Sequence, residues 1–185
     1  MMARWALLVG GKGVDKTSLA ERVAAELAAR GLRVAGVVQD PVEEDGERRG
    51  YVARRIGASE TVVVARKGAA EAGSNEATVC SFVFDASAFE RAREWIRQSS
   101  READVVVIDE VSKLEVARGG HHDAIREALR GNAIVVLVVR GDQLFSVVER
   151  FALGEPAATL ESADEGAFAQ FVEDLARAAT TGKAP

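Results

Sequence analysis

The segment Gly10 to Ser18, Gly-Gly-Lys-Gly-Val-Asp-Lys-Thr-Ser, gathers glycines, lysines and two hydroxyls in one short run. Its spacing follows G-x-x-x-x-G-K-[ST], a pattern that wraps backbone N–H groups around phosphate, sets a lysine on the terminal phosphates and offers a hydroxyl to Mg²⁺. Gly10, Lys16 and Thr17 stand where that pattern needs them, and Asp15 takes the place of its second glycine. Gly10, Gly11, Lys12, Gly13, Val14, Asp15, Lys16, Thr17 and Ser18 are therefore the candidates for holding a nucleotide. A second chemical signal lies far along the chain, where the apolar run Asp104 to Ile108 ends in Asp109-Glu110. A strand-end aspartate can share Mg²⁺ with the loop hydroxyl, and an acidic neighbour can orient or deprotonate an attacking water. This pairing assigns Thr17 and Asp109 to metal, Lys16 to phosphate and Glu110 to the base.

The Asp15 carboxylate works against that chemistry. Glycine avoids a Cβ where backbone approaches phosphate closely. Two like charges about 4 Å apart at an effective dielectric of about 20 repel by roughly 4 kcal/mol, or about a thousandfold in affinity at most. Mg²⁺, Lys12 and Lys16 offset part of this, and an Asp15–Lys16 pair would leave the loop folded but weak for nucleotide. Three functions fit these residues: a Mg²⁺-dependent nucleoside triphosphatase, a catalytically weak nucleotide-fold module working through a partner, and a phosphotransferase with a small acceptor. A dinucleotide-binding loop does not fit, because Gly11-Lys12-Gly13 lacks the third glycine that such a loop needs. The chain has no Asn-Lys-x-Asp or Thr-Lys-x-Asp segment, so the base stays unspecified.

These groups need strands and helices to hold them. Ala3 to Val9 reads as a buried strand, and Leu19, Val23 and Leu27 mark one face of a helix closed by Gly31. Leu32 to Val38 is the next strand of a β-α-β crossover. Pro41 to Gly50 reads as a charged, exposed hairpin loop, Tyr51 to Ile56 and Thr61 to Ala65 as antiparallel strands, and Gly68 to Glu76 as a mobile loop. Thr78 to Phe84 is a strand leading to a cap at Asp85 or Ser87, then a helix with Phe89, Ala92 and Ile96 inward. Beyond Asp109-Glu110 come a short helix ending at Gly131, a buried strand Ala133 to Val139, and a helix capped by Asp142. Glu155 to Leu160 is an edge strand candidate. Ser162 and Glu165 have capping-box spacing before a last helix with Phe168, Val172 and Leu175 inward. The pattern is that of an α/β fold with a mainly parallel sheet covered on both faces and an inserted antiparallel hairpin. Ligands of such sheets bind beyond the strand carboxyl ends, where both chemical segments fall. One domain over residues 1–179 and a disordered tail from Thr180 to Pro185 are expected.

Composition narrows the partners. The 185 residues are 48% hydrophobic and 29% charged, with a formal net charge of -5, which gives no strong nucleic-acid signal. Cys80 is the only cysteine, so no internal disulfide forms and a reducing cytoplasm is expected; its strand-like setting marks a buried structural thiol. With one cysteine and two histidines, His121 and His122, the usual zinc sites cannot be assembled. The adjacent histidines read as a solvent-facing helix start. Arg4 to Val9 is too short for a signal-peptide core, and no stretch reaches the roughly 18 apolar residues of a membrane span.

Several segments together resemble the THEP1 family of nucleoside triphosphatases, P-loop proteins with a three-layer RecA-like or AAA-like core. That family's loop is similar to Gly10 to Thr17, with glycine in place of Asp15. Its second signature, an apolar strand followed by Asp-Glu-x-x-Lys-x-Glu, is similar to Val107-Ile108-Asp109-Glu110-Val111-Ser112-Lys113-Leu114-Glu115. Ala35-Gly36-Val37-Val38 through Arg48-Arg49-Gly50-Tyr51 and Phe84 to Glu90 resemble two softer segments, so the likeness spans roughly residues 5 to 175. The resemblance implies hydrolysis of NTP to NDP and phosphate with Mg²⁺ and loose base selectivity. It adds Lys113, facing the terminal phosphate, and Glu115 as site residues. Arg48 is a candidate cis arginine finger, weighed against a charged hairpin tip with no role beyond solubility.

Overall fold

A computed structural model describes residues 4–10, 15–68, 76–79 and 81–181, with backbone alone for 76–79. Gly11, Lys12, Gly13, Val14, Cys80, most of the expected mobile loop and residues 182–185 lie outside these. The strands are β1 (Trp5–Gly10), β2 (Val34–Glu44), β3 (Glu47–Arg55), β4 (Thr61–Lys67), β5 (Glu76–Val79), β6 (Phe82–Asp85), β7 (Val105–Val111), β8 (Ile134–Arg140) and β9 (Thr159–Leu160). The helices are α1 (Lys16–Ala29), α2 (Ala86–Ser100), α3 (Lys113–Val116), α4 (His122–Leu129), α5 (Leu144–Phe151) and α6 (Glu165–Thr181).

All nine strands join one sheet in the order β5-β6-β4-β3-β2-β7-β8-β1-β9. From β2 to β9 every pairing is parallel, and from β2 outward to β5 every pairing is antiparallel. The antiparallel part is thus larger than one inserted hairpin. The parallel strands are nearly all apolar because helices cover both faces. Ala6, Leu8, Val107 and Val136 pack under α1 and α6, whereas Leu7, Val106, Ile108 and Leu137 pack under α2, α4 and α5. In α1, Leu19, Val23 and Leu27 are buried as their spacing predicts, contributing roughly 1.5–3 kcal/mol each.

Four local expectations change. Pro41 to Gly50 is mostly strand: β2 and β3 pair down to Glu44 opposite Glu47, and only Asp45 and Gly46, both with positive φ, make the turn. Thr78 to Phe84 is two antiparallel strands, because Ser81 takes a left-handed φ of 69° and reverses the chain between Val79 and Phe82. Asp142 does not cap α5; it sits in a 3-10 turn, Gly141–Gln143, with its carboxylate 3.2 Å from Arg140. For α6 the cap is Asp164, whose Oδ1 accepts from the Ala167 N–H at 3.0 Å, while Glu165 pairs with Arg22 at 3.0 Å. Asp85 caps α2 as expected, accepting from the Ser87 and Ala88 N–H groups.

The backbone of β2 lies hard against Val107 of β7 at Gly36. Its φ is +130°, and a Cβ there would lie 1.9 Å from the Val107 carbonyl oxygen. Only glycine permits this approach without displacing one of the two central strands.

Candidate active site

The carboxyl ends of β1 and β7 lie on the same edge of the sheet, with β8 between them. Gly10 closes β1 in register with Arg140, the last residue of β8. Lys16, Thr17 and Ser18 open α1, behind Asp15. Thr17 and Asp109, 92 residues apart in sequence, meet here: the Thr17 hydroxyl donates to Asp109 Oδ2 at 2.7 Å.

A β-bulge aims the acidic pair. Ile108 pairs with Leu137, yet Val111 pairs with Val139, so β7 spends three steps where β8 spends two. One residue is surplus, and it changes which side chains face which layer. Ile108 and Val111, an odd number of positions apart, accordingly pack in the same core layer. Asp109 is turned inward and is 0% exposed. Glu110 turns toward the cleft with a left-handed φ of 57°, and its N–H donates to Asp109 Oδ1 at 2.8 Å. The Gln39 N–H donates to Asp109 Oδ2 at 3.1 Å, and the Gln39 amide Nε2 donates to the Asp109 carbonyl at 3.4 Å. Burial pushes the Asp109 carboxyl up to about 6, against the pull of the hydrogen bonds from Thr17 and Gln39.

Asp15 is the N-cap of α1. Its φ of -75° needs no glycine, and Oδ1 accepts from the Ser18 N–H at 3.1 Å. Among the described residues it forms no ion pair with Lys16, so the carboxylate competes for a helix N-terminal amide rather than neutralising the lysine. That amide belongs to the set an anion at this helix end would use.

Asp15, Lys16, Thr17 and Ser18 line a cleft of about 470 Å³ together with Arg48 and Glu110. Arg48 reaches its rim from the start of β3, donating to the Tyr51 hydroxyl at 3.2 Å with its guanidinium 5.5 Å from the ring centroid. That hydrogen bond, with a weaker one to Glu43, raises the guanidinium pKa further. Lys113 does not line this cleft. It opens α3 on an adjoining cavity of about 280 Å³, which shares Gln39, Tyr51 and Glu110 with the first and adds Phe82, Phe84 and Phe89.

Three features of the site were not legible in the sequence. Arg54 grips Asp40 with two nitrogens at 2.8 and 3.2 Å and also binds Glu21, tying α1, β2 and β3 together beside the cleft. Gln39 holds Asp109 largely through its backbone, which no residue type betrays. The third is Glu115, whose place came only from resemblance: it is 1% exposed, lies outside the cleft of Lys16 and Thr17, and borders the adjoining cavity with Lys113. Its carboxylate accepts from the Ser112 N–H at 2.9 Å and the His121 N–H at 3.1 Å, and burial pushes it up to about 7. The reading of His121 and His122 as solvent-facing is overturned, since they are 0% and 5% exposed. His122 Nδ1 donates to the Glu115 carbonyl at 2.9 Å, and His121 packs edge-on against Phe89, its ring nitrogens unpartnered among the described residues.

The family model described as NTPase matches residues 6–161. The chain belongs to this NTPase family. It is similar to the nucleoside-triphosphatase THEP1 of Thermococcus kodakarensis, 31% identical over 140 residues that cover 75% of this chain and 77% of the relative. The THEP1 of Methanopyrus kandleri is 29% identical over 133 residues, covering 72% and 71%. The solution structure of a human cancer-related nucleoside triphosphatase superposes with a TM-score of 0.70 over 98% of this chain and 100% of that one, at 23% identity. That likeness shows the NTPase family's P-loop fold in this chain, with its three layers and largely parallel central sheet. Among the described residues, no helix is long and apolar enough to cross a membrane.

Proposed function

We propose that this chain hydrolyses nucleoside triphosphates of loose base preference to the diphosphate and phosphate, with Mg²⁺, in the cytoplasm. The observation that carries the reading is the 2.7 Å contact of Thr17 with Asp109, made beside a bulge that turns Glu110 into the same cleft. The donor set fits Mg²⁺: both groups are oxygen ligands, and among the described residues no three His, Cys, Asp or Glu converge to hold a metal unaided. Magnesium is commonly held by one or two protein groups and completed by substrate phosphates and water. Bound there, it supplies neutralisation of charge on the β- and γ-phosphates. Lys16 sits on the terminal phosphates and Arg48 adds positive charge from the opposite rim. Glu110 orients a water and takes its proton as the water oxygen bonds to the γ-phosphorus. The bond from that phosphorus to the β–γ bridging oxygen breaks, and the diphosphate leaves with its electron pair. Lys113, in the adjoining cavity, assists phosphate departure.

A second reading, a catalytically weak module of the same fold, is favoured by one contact: Asp15 already occupies the Ser18 N–H. Phosphate release from ATP, GTP, CTP and UTP separates the two. Hydrolysis predicts that Glu110→Gln lowers turnover about 10²- to 10⁴-fold with binding retained, that Lys16→Ala weakens binding as well, and that EDTA abolishes the wild-type rate. Equal phosphate release by wild type and both variants would establish the module reading instead.

A further inference from the structure

A second concave site lies between α4 and α5, sharing no lining residue with the nucleotide cleft. It has a volume of about 400 Å³ and is lined by Arg118, Arg126, Arg130 and Arg150 over an apolar floor that includes Leu129 and Phe151. Arg126 on α4 and Arg130, the residue that caps its end, are four apart and so fall on one side of the helix, where like charges repel. Arg150 meets them from the last turn of α5. Arg118 enters from the end of α3, held in a left-handed φ of 69°.

The chain carries a net charge of -5, and most of its arginines are matched to carboxylates, Arg54 to two of them. Among the described residues these four have no ion pair. The acidic residues of α4 are turned elsewhere, since Asp123 and Glu127 both pair with Arg93 of α2. Four guanidiniums thus line one hollow with no carboxylate at ion-pair distance among the described residues, although Glu127 still acts on Arg130 through space. All four residues are exposed, so solvent screens their mutual repulsion, and an anion of several charges seated in the hollow meets all of them. Guanidinium forks suit phosphate oxygens best, two to a group. His122 completes the wall: its ring lies 5.1 Å from that of Phe151, and with Nδ1 donating to the Glu115 carbonyl, Nε2 is left for a ligand.

We propose that this cavity binds a small molecule carrying two or three linked phosphates. Its limited volume and the net negative charge of the chain suit a small anion better than an extended nucleic-acid track. The phosphates come from an inorganic chain or from the tail of a nucleotide, and both present the same spaced oxygens. Through His122 and the Glu115 carbonyl, occupancy also bears on the segment that starts α3 at Lys113.

The test uses the whole chain as Lys16→Ala, in EDTA, so that the main cleft contributes little. Titration with tripolyphosphate and separately with ADP gives the affinities, and phenylglyoxal labelling read by mass spectrometry maps the protected arginines. The expected result is protection of Arg126, Arg130 and Arg150, binding that weakens with salt, and at least about tenfold lower affinity in Arg126→Ser/Arg150→Ser. Tripolyphosphate bound as well as ADP names an inorganic source; ADP bound much better names a nucleotide. Absence of protection in the unsubstituted site, or equal affinity in the doubly substituted chain, overturns the proposal. Protection by an oligoribonucleotide but by neither small anion overturns it in favour of nucleic acid.

Discussion

Asp15 is one carboxylate doing two opposed things. It satisfies the Ser18 N–H, a favourable N-cap, and it places negative charge at the helix end where the proposed function puts phosphate. Asp15→Gly should therefore raise NTP affinity at least about tenfold while lowering the melting temperature slightly, since glycine caps only a few tenths of a kcal/mol less well than aspartate. Calorimetric binding and a thermal melt on one preparation check both signs. His121 gives a sharper case of burial against charge. With its imidazole pushed down to about 4 by burial, the unfolded chain binds more protons between about pH 6.5 and 4. Stability due to neutral His121 is present above that window and lost as pH falls through it, by roughly 3 kcal/mol. Glu115 acts with the opposite sign: its stabilisation is full below about pH 4.5 and lost as pH rises through about 7. The two overlap, so the difference between His121→Phe and wild type in urea midpoints from pH 8 to 4 isolates the histidine. The variant should match or exceed wild-type stability at neutral pH and flatten the acid loss. That Lys16, Thr17 and Glu110 line one cleft, with Asp109 bonded to Thr17, was legible because their types and spacing carry the signal. His121 and Glu115 were not, because polar residues that a loop buries look like solvated ones in a string of letters.

At the scale of elements, apolar periodicity located the buried strands and the inner faces of α1, α2 and α6. It failed where the deciding group is backbone. Polar residues from Pro41 to Gly50 look like a loop, yet their N–H and C=O groups form the ladder between β2 and β3, which exposed antiparallel strands can keep with few apolar side chains. Helix starts were ambiguous for a related reason: Asp142 and Asp164 are equally good caps by type, and only Asp164 is oriented to accept from the helix. The contact of β2 with β7 carries the element-scale prediction. Gly36→Ala puts a Cβ against the Val107 carbonyl in a backbone conformation that L-residues avoid. It should cost about 3 kcal/mol or more. It should also disturb the Gln39–Asp109 contacts further along the same strand pair, so a denaturant melt and the hydrolysis rate should fall together.

Across the whole molecule, one sheet serves as both core and bench. Its two faces bury separate apolar layers, and its carboxyl edge collects residues that the chain supplies far apart. The alternation of strands and helices was enough to expect that edge as the place of chemistry, but the four-strand antiparallel flank, with its aromatic cavity next to Glu110, was not visible in short β-type runs. The surplus residue of β7 has a consequence for how this protein tolerates loss. Counting along the ladder, removal of Glu110 alone would bring Asp109 opposite Val138 and leave Val111 opposite Val139, its present partner. The missing position would heal into an ordinary strand. A one-codon deletion there should yield a protein that still melts cooperatively and no longer releases phosphate, whereas the same deletion at Val107 should shift the pairing and unfold it. The sheet is complete without Glu110; the proposed base is an insertion into an architecture that would close over the gap.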